Sequence, residues 1–463
     1  MSNNQQYSFG LNTRNISTSN RSAKAVMIGS IKGKGSTSRI YNWCNKYCPA
    51  DPINCVFNQV TSSTSPVPVP VSKSSWSNIN ISQLNLGEIT GNIGLNGQII
   101  LGGANGGQLQ FSTNLGNSWA PYSDSPNLPS IQVSIDVIGW SSVVMSDDTK
   151  FVIGTPYVPD NASAGDFTAY NGIWYRRDTA GWFLLQSCPL EGSVTDLNFN
   201  NTPKGSQLLF IDAGISQDGN FMAAITTPRS GNEELVYLIY SNDFGSPNSW
   251  KAIGLDPYTD DFVTTVTSSI SICNYVSDYF LITSKLYFNN VQQPGYYENG
   301  TCCVSDAGQS FTVPNGVTGN DFIYSSMSDT GQHQVVVTAT NPQSGNTSIP
   351  SRLYLSSDSG TNFSQIIQLP YTNDNNYLVF GGVSMSSDGT YITASVLDQD
   401  GNFQYIYISS DIGVAWTKIY NDNNGSAINV TGQYAGFLNL NFSGQYQMLT
   451  GTNKLYINNN YGN

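Results

Sequence analysis

One short box recurs along most of this chain and narrows its possible folds more than any other feature. "LYLSSDSGTNF" (353–363) and "IYISSDIGVAW" (406–416) align without gaps as a strand followed by Ser-x-Asp-x-Gly-x-x-aromatic. The motif is carried by Ser356, Asp358, Gly360 and Phe363, and by Ser409, Asp411, Gly413 and Trp416. "LQFSTNLGNSW" (109–119) has Asn114 in the Asp place, with Gly116 and Trp119. "LIYSNDFGSPNSW" (238–250) keeps Ser241, Asp243 and Gly245 but has two extra residues before Trp250. "CCVSDAGQSF" (302–311) has Val304 in the Ser place, then Asp306, Gly308 and Phe311. "IWYRRDTAGW" (173–182) holds Asp178, Gly181 and Trp182, and the terminal "LYINNNYG" lacks an aromatic. The seven Asp places, at 114, 178, 243, 306, 358, 411 and 460, fall 49 to 65 residues apart. In such a turn the carboxylate accepts from nearby amides, Gly takes a left-handed conformation and the aromatic is buried between sheets. It reads as a clamp for the fold, not as catalytic machinery.

Each unit carries a second signal upstream of its box. "VSMSSDGTYITASV" (383–396) is the clearest, echoed by "AGISQDGNFMAAIT" (213–226), "VVMSDDTKFVIG" (143–154), "SSMSDTGQHQVVV" (325–337), "LNLNFSGQYQMLTG" (438–451) and "IGLNGQIILGG" (93–103). These read as hairpins built on Asp/Ser-Gly turns. In the unit between 265 and 311 the turn signal, "SICNYVSDYFLITS", is weak and is placed by spacing. Each unit then supplies about four short strands. The composition agrees: 39% hydrophobic, 12% aromatic and only 11% charged, with 44 Gly, suits many short strands joined by turns.

Ser-x-Asp-x-Gly-x-x-Trp/Phe resembles the Asp-box, or BNR, repeat of sialidase-like β-propellers, over roughly residues 74–463. The resemblance implies an all-β fold whose boxes lie on hairpins away from any active face. Propellers close into a ring so that no sheet edge stays exposed, often with the chain's start completing the last blade. "KSSWSNINIS" (73–82), set beside "GNSWAPY", "PNSWKAI" and "VAWTKIY", reads as an aromatic-led outer strand without a box. The expectation is a seven-bladed β-propeller closed by an N-terminal strand at Trp76, preceded by an extended N-terminal arm.

A sialidase would need three arginines on the substrate carboxylate, an Arg-Ile-Pro motif, a Tyr/Glu pair and an acidic Asp. The body has Arg176, Arg177, Arg229 and Arg352 and no Arg-Ile-Pro, and Arg176 and Arg177 sit in a degenerate box. No catalytic residue is assigned and a non-enzyme is expected. "GSIKGKGST" (29–37) lacks Ser or Thr after Gly33-Lys34 and reads as a basic strap. His333, the one histidine, follows a hairpin turn and reads as a surface position. "DQDGN" (398–402) reads as a hairpin turn and not a calcium loop. No cofactor and no metal site are expected.

The charge is unevenly placed. Residues 1–73 carry eight Lys/Arg (Arg14, Arg21, Lys24, Lys32, Lys34, Arg39, Lys46 and Lys73) against Asp51, a net +7, whereas the rest carries −20. The expected domains are a basic arm at 1–60, the Pro-rich linker "TSSTSPVPVPVSK" at 61–73, extended by its prolines, and the propeller at 74–463. Cys44, Cys48 and Cys55 cluster in the arm, where a disulfide and free thiols are both open. The arm has three competing uses: docking on the acidic body of a neighbouring copy, binding nucleic acid, which is the weakest on motif grounds, or lying on its own propeller.

"MSNNQQYSFG" lacks the apolar core of a signal peptide and no long apolar run exists, so no membrane insertion is expected. A looser resemblance in style, to propeller proteins of large DNA viruses, implies a virion or surface-fibre component, with a cytoplasmic location otherwise. The reading is a self-associating structural protein, a homo-oligomer through its arm. The alternative is a carbohydrate-binding or sialidase-like glycan-recognition protein that stacks Tyr and Trp on sugars.

Overall fold

A computed structural model describes residues 75–128, 132–133, 136–137, 139–157, 169–201, 208–227, 236–255, 263–272, 279–288, 302–306, 311–312, 322–338, 350–373, 376–430 and 437–462. The chain divides into two units, Met1–Ser72 and Lys73–Asn463, and every described residue belongs to the second. The arm, the linker, Cys44, Cys48, Cys55, Gly308, Arg229 and the hairpin turn at 273–278 lie outside the described residues, as do the side chains of Asp306 and Phe311.

The described body is all-β, with two short 3₁₀ turns, Ser82–Leu84 and Asp178–Ala180, and no helix long and apolar enough to cross a membrane. Among the described residues there are six four-stranded sheets, one five-stranded sheet and two minor two-stranded ribbons. In chain order the first sheet holds Ile89–Ile93, Ile99–Gly103, Gln110–Ser112 and Ala120–Pro121. The second holds Gly139–Met145, Phe151–Tyr157, Ile173–Arg177 and Trp182–Leu185. The third holds Leu209–Ile215, Met222–Thr227, Val236–Ser241 and Lys251–Leu255. The fourth holds Val263–Ile272, Tyr279–Phe288, Cys302–Asp306 and Phe311–Thr312. The fifth holds Phe322–Met327, Gln334–Thr338, Arg352–Ser356 and Ser364–Gln368. The sixth holds Tyr371–Asn373, Asn376–Met385, Ile392–Asp398, Phe403–Ser409 and Thr417–Ile419. The seventh joins Phe437–Leu440, Gln447–Gly451 and Lys454–Asn458 to Ser77–Ile79 from the other end of the body.

Each sheet is an antiparallel meander, and the first long strand of each packs on the sheet beside it. The contacts run from the first sheet to the seventh, and Ile89–Ile93 also touches Phe437–Leu440 and Gln447–Gly451. This succession of packed meanders is a β-propeller. The second strands are sandwiched on both faces, so Ile99–Gly103, Gln334–Thr338 and Gln447–Gly451 are buried along their whole length and do not alternate. Apolar clusters fill the gaps between sheets: Ile173, Phe199, Phe210 and Trp250 in one, Val335, Leu353, Phe380 and Ile392 in another.

Side chains on the innermost strands stitch sheet to sheet. Ser326 Oγ accepts from Met385 N at 3.0 Å, Ser384 Oγ from Leu440 N at 3.0 Å, and Asn439 Oδ1 from Asn92 Nδ2 at 3.1 Å. These bonds satisfy donors that a buried, tightly packed strand would otherwise strand away from water.

Ser77 pairs with Ile457, the residue before Asn458. Thr417 pairs with Ile408 before Ser409, Ser364 with Leu355 before Ser356, Lys251 with Tyr240 before Ser241, and Ala120 with Phe111 before Ser112. Trp76 therefore enters its strand in the same register as Trp416, Phe363, Trp250 and Trp119 enter theirs.

Candidate functional site at the turns

The two intact boxes share one hydrogen-bond pattern. Ser409 Oγ donates to Asp411 Oδ1 at 2.8 Å and accepts from Gly413 N at 2.8 Å, while Asp411 Oδ1 accepts from Ala415 N at 2.9 Å. Ser356, Asp358, Gly360 and Asn362 repeat this at 2.8, 3.0 and 2.9 Å. The Asn362 side-chain amide and backbone N–H, followed by the Ser356 hydroxyl, hold the exposed Asp358 carboxyl below the usual carboxylate range. Gly413 has φ +78°, and an added Cβ would meet Leu355 Cδ2 at 2.9 Å, so the position takes no larger residue without strain. Replacing Ser409, which is 1% exposed, by Ala leaves the Gly413 N–H and a carboxylate oxygen short of a partner. A loss of about 1–3 kcal/mol in urea unfolding is the expected result.

Other copies reach the same shape with different atoms. Asn114 Oδ1 accepts from Ser112 Oγ at 3.0 Å and from Ser118 N at 2.9 Å, with Gly116 N on Ser112 Oγ at 2.8 Å. Near Asp243 and Gly245, Ser241 Oγ meets Ser249 Oγ at 2.5 Å, a contact allowed by the two extra residues before Trp250. At the end of the chain Asn458 Oδ1 does the work of the serine, accepting from Asn460 N at 2.7 Å and Gly462 N at 2.9 Å.

Asp178 is different. It has φ +38° in a 3₁₀ turn and donates its N–H to Lys150 O at 2.8 Å. Ile412 (φ +59°) makes the corresponding bond to Thr390 O at 3.1 Å, so Asp178 occupies the left-handed slot and not the carboxylate slot of a box. The physical reason is length: Arg176 pairs directly with Trp182, which leaves a turn too short for the box. Arg176 lies 5.3 Å over the Tyr122 ring, and Arg177 Nη2 donates to Ser246 Oγ at 3.2 Å, which ties the second sheet to the third.

The box aromatics sit at different depths. Trp250 and Phe363 are buried, whereas Trp119, Trp182 and Trp416 are half-buried at the edges of inter-sheet clusters. Trp76 is fully buried among Ile406, Ile408, Ile419, Leu438 and Leu449.

The hairpin turns form a second constellation. Their Ser hydroxyls close each turn: Ser146, Ser216 and Ser386 donate to Asp148, Asp218 and Asp388 at 2.8, 2.8 and 2.7 Å. The same hydroxyls accept from Phe151 N, Phe221 N and Tyr391 N at 3.1, 2.8 and 2.9 Å. The aromatic that follows lies against the turn glycine of the next sheet. Phe151 lies against Gly219 and Tyr391 against Gly444, where a Cβ would come within 2.4 and 2.6 Å of the ring. His333 takes the same place against Gly389. It is therefore half-buried, not on the surface, and burial lowers its pKa.

The residue after each turn Ser or Asn falls at the join with the next sheet. Asp147 N donates to Gln217 O at 3.0 Å, Asp329 N to Ser387 O at 2.7 Å, and Ser387 N to Phe442 O at 2.7 Å, while Asn441 Nδ2 reaches Leu95 O at 3.4 Å. Among the described turns Leu95, Asp147, Gln217, Asp329, Ser387 and Phe442 thus mark a collar of joins, broken at the fourth sheet, whose turn lies outside the described residues; Asp147 and Asp329 are its carboxylates. Gln217 Nε2 donates to Asp147 Oδ2 at 2.6 Å, and Asp147 Oδ1 is buried without a hydrogen-bond partner. Burial pushes the Asp147 carboxyl up to about 6, opposed by the Gln217 bond and helped by Asp148. Burial, then the charge of Asp147, pushes Asp329 up to about 7, with Ser387 opposing and Asp388 and Asp218 adding to the rise.

Sequence reading did not single out the collar. The available signal was the column after Ser in the aligned hairpin turns. Among the described residues no group of three or more His, Cys, Asp or Glu side chains could hold a metal ion. Cys188 is a buried free thiol, pushed up to about 12 by burial and by Asp196, which makes it a poor nucleophile.

A β-propeller is the class of protein that these sheets and turns define. No protein-family model matches the chain, and no curated protein matches it. Among solved structures it is similar to YCF48 from Cyanidioschyzon merolae, at 12% identity and a TM-score of 0.46, over 83% of this chain and 98% of that one. It is similar to the Cps50 (Swd1) β-propeller domain of Myceliophteria thermophila, at 12% identity and 0.46, over 83% and 99%. A third likeness is to hydrazine synthase of Kuenenia stuttgartiensis, at 11% identity and 0.45, over 82% and 97%.

Proposed function

We propose that the body is a seven-bladed propeller of Asp-box repeats, closed by the strand that follows Trp76. We further propose that the protein is a non-enzymatic assembly component that self-associates through its basic N-terminal arm, as a virion or surface-fibre protein would. The pairing of Ser77–Ile79 with Leu455–Ile457 and the turn pattern at Ser356, Ser409 and Ser112 support the first part.

The observation that carries the second part is the separation of charge. One chain holds a segment of +7 and a body of −20, so the arm of one copy and the body of another are opposite in charge and suit head-to-tail docking. A heterologous contact of that kind generates rings or filaments. In negative-stain electron microscopy at low salt, the full-length protein is expected to form such assemblies while residues 74–463 give single discs. Single discs in both samples would sink the reading.

A second reading, glycan recognition, draws on one surface group. On the last two strands of the sixth sheet Tyr420 meets Tyr405, Tyr405 meets Tyr407 and Tyr407 meets Trp416, with Tyr420 half exposed and Lys418 Nζ 5.1 Å from the Tyr407 ring. Binding on a glycan array, or hydrolysis of a sialoside reporter, would promote that alternative.

A further inference from the structure

We propose that the aromatic row on the last two strands of the sixth sheet is a binding site for a saccharide ring that carries a carboxylate, a uronic-acid residue. Tyr420 supplies the stacking face and Lys418 the partner of the carboxylate. The inference rests on the glycan-recognition reading and gives it a site and a ligand class.

The row is built by strand periodicity. Tyr405 and Tyr407 are alternate residues of Phe403–Ser409 and so share a face, and Tyr407 pairs across the ladder with Lys418. Lys418 Nζ lies 4.3 Å from the centre of the Tyr405 ring and 5.1 Å from that of Tyr407. The Tyr420 ring meets Tyr405 at 5.4 Å, and the Trp416 ring meets Tyr407 at 6.1 Å. Trp416, Lys418 and Tyr420 therefore stand on that same face as aromatic, cation and aromatic, about 6–7 Å from one to the next along an extended chain. The row is open to solvent: Tyr420 is 51% exposed and Lys418 is exposed, above Tyr405, which is 6% exposed and forms the floor. The Trp416 indole N–H donates to Gly413 O at 2.9 Å, so that ring is fixed before any ligand arrives.

The fold does not require this row. In the first, third, fifth and seventh sheets the place of Lys418, opposite the residue two before the box serine or its substitute, is taken by Pro121, Ala252, Gln365 and Asn78. Two residues further on, where the sixth sheet has Tyr420, stand Ser123, Gly254, Ile367 and Asn80. Those four outer strands pack with neither the cation nor the second aromatic.

The side chains select the ligand. An exposed tyrosine ring presents an electron-rich face on which the C–H groups of a sugar ring lie. Among the described residues the ion pairs are Lys150 with Asp148 and Lys251 with Glu191, and neither involves Lys418, whose charge is met by ring faces. An ionised carboxylate gives that ammonium a charge-assisted hydrogen bond while its stem stays on the rings. A base and a phosphate would use the same elements, but a nucleic-acid strand needs a line of cations for its backbone, and residues 74–463 carry −20. One carboxylate on one ring needs one cation.

The test is titration calorimetry of the full chain at neutral pH and low salt, with tetragalacturonate, its methyl ester and oligothymidylate as probes. Tetragalacturonate is expected to bind, and its uncharged ester to bind about tenfold more weakly, the worth of one hydrogen bond to a charged group. Lys418→Met, which keeps the apolar stem, should weaken the acid by the same factor and leave the ester unchanged. Tyr420→Ala should weaken both saccharides, and Tyr420→Phe neither. Both positions are exposed, and melting by circular dichroism checks that each variant folds. Binding of tetragalacturonate that survives both Lys418→Met and Tyr420→Ala would overturn the inference and leave the glycan reading standing. Equal binding of acid and ester, or tighter binding of oligothymidylate, would overturn the ligand class and with it the inference. No binding of either saccharide also overturns the inference, and a blank glycan array beside it removes the glycan reading as well.

Discussion

Replacing Trp76 by Ala is expected to lower the stability of the protein by about 3–5 kcal/mol, the range for emptying a large aromatic from a packed core. Trp76 is fully buried and packs on Ile406, Ile408, Ile419, Ile428, Val430, Leu438, Leu449 and Tyr456, so its loss opens the sixth and seventh sheets together. Its carbonyl also accepts from Asn423 N at 2.7 Å, and the flanking serines are held by Asn423 Nδ2 on Ser77 Oγ and Asn458 Nδ2 on Ser75 Oγ at 2.9 and 2.7 Å. The strand Ser77–Ile79 is three residues long and would not hold its place by ladder bonds alone. Trp76→Phe, which keeps most of the apolar volume, should recover more than half of the loss. Trp416→Ala is the comparison, because that ring is half-buried and should cost less. Urea unfolding of the three variants decides the matter, and a Trp76→Ala loss below 1 kcal/mol would mean that the strand is not clamped by its tryptophan.

The second large effect is on the pH dependence of stability. Asp147 and Asp329 titrate in the folded protein at about 6 and about 7, above the ordinary value of 3.8. A raised carboxyl pKa means that the folded state holds protons the unfolded state has released. Their contribution is therefore fully present below the unfolded value and is lost as pH rises through 6 and 7. The groups that bear on the pair are Asp148, Asp218 and Asp388, with Gln217 and Ser387 as its hydrogen-bond donors. Asp147→Asn/Asp329→Asn should therefore be more stable than the unaltered protein at pH 8, by roughly 1–3 kcal/mol after allowance for solvent screening. The gap should narrow toward pH 5 and close only near the ordinary carboxyl value of 3.8. Other carboxylates tilt both profiles alike, so the difference between the two curves isolates the collar. Parallel curves from pH 5 to pH 8 would show that these carboxyls titrate normally.

The boxes were legible because their chemistry is local. A Ser hydroxyl, an Asp carboxylate and a left-handed Gly close a turn within seven residues, so Ser356 to Asn362 and Ser409 to Ala415 announce themselves without any partner in space. Asp178 misled because the same residue type suits a left-handed backbone position as well as a carboxylate slot, and only the pairing of Arg176 with Trp182 distinguishes the two. His333 looked like a surface turn residue because its packing partner, Gly389, belongs to the next sheet.

What the sequence determined by itself was the all-β class, the repeating four-strand unit and the turn chemistry, since each depends on residues a few positions apart. The collar was decided by the tertiary structure alone. Asp147, Gln217, Asp329 and Ser387 close no turn of their own, and nothing near them in the chain marks them out. They acquire a role when packed sheets bring equivalent turns side by side, so that burial and the charge of Asp147 act on a carboxyl 182 positions away in the chain.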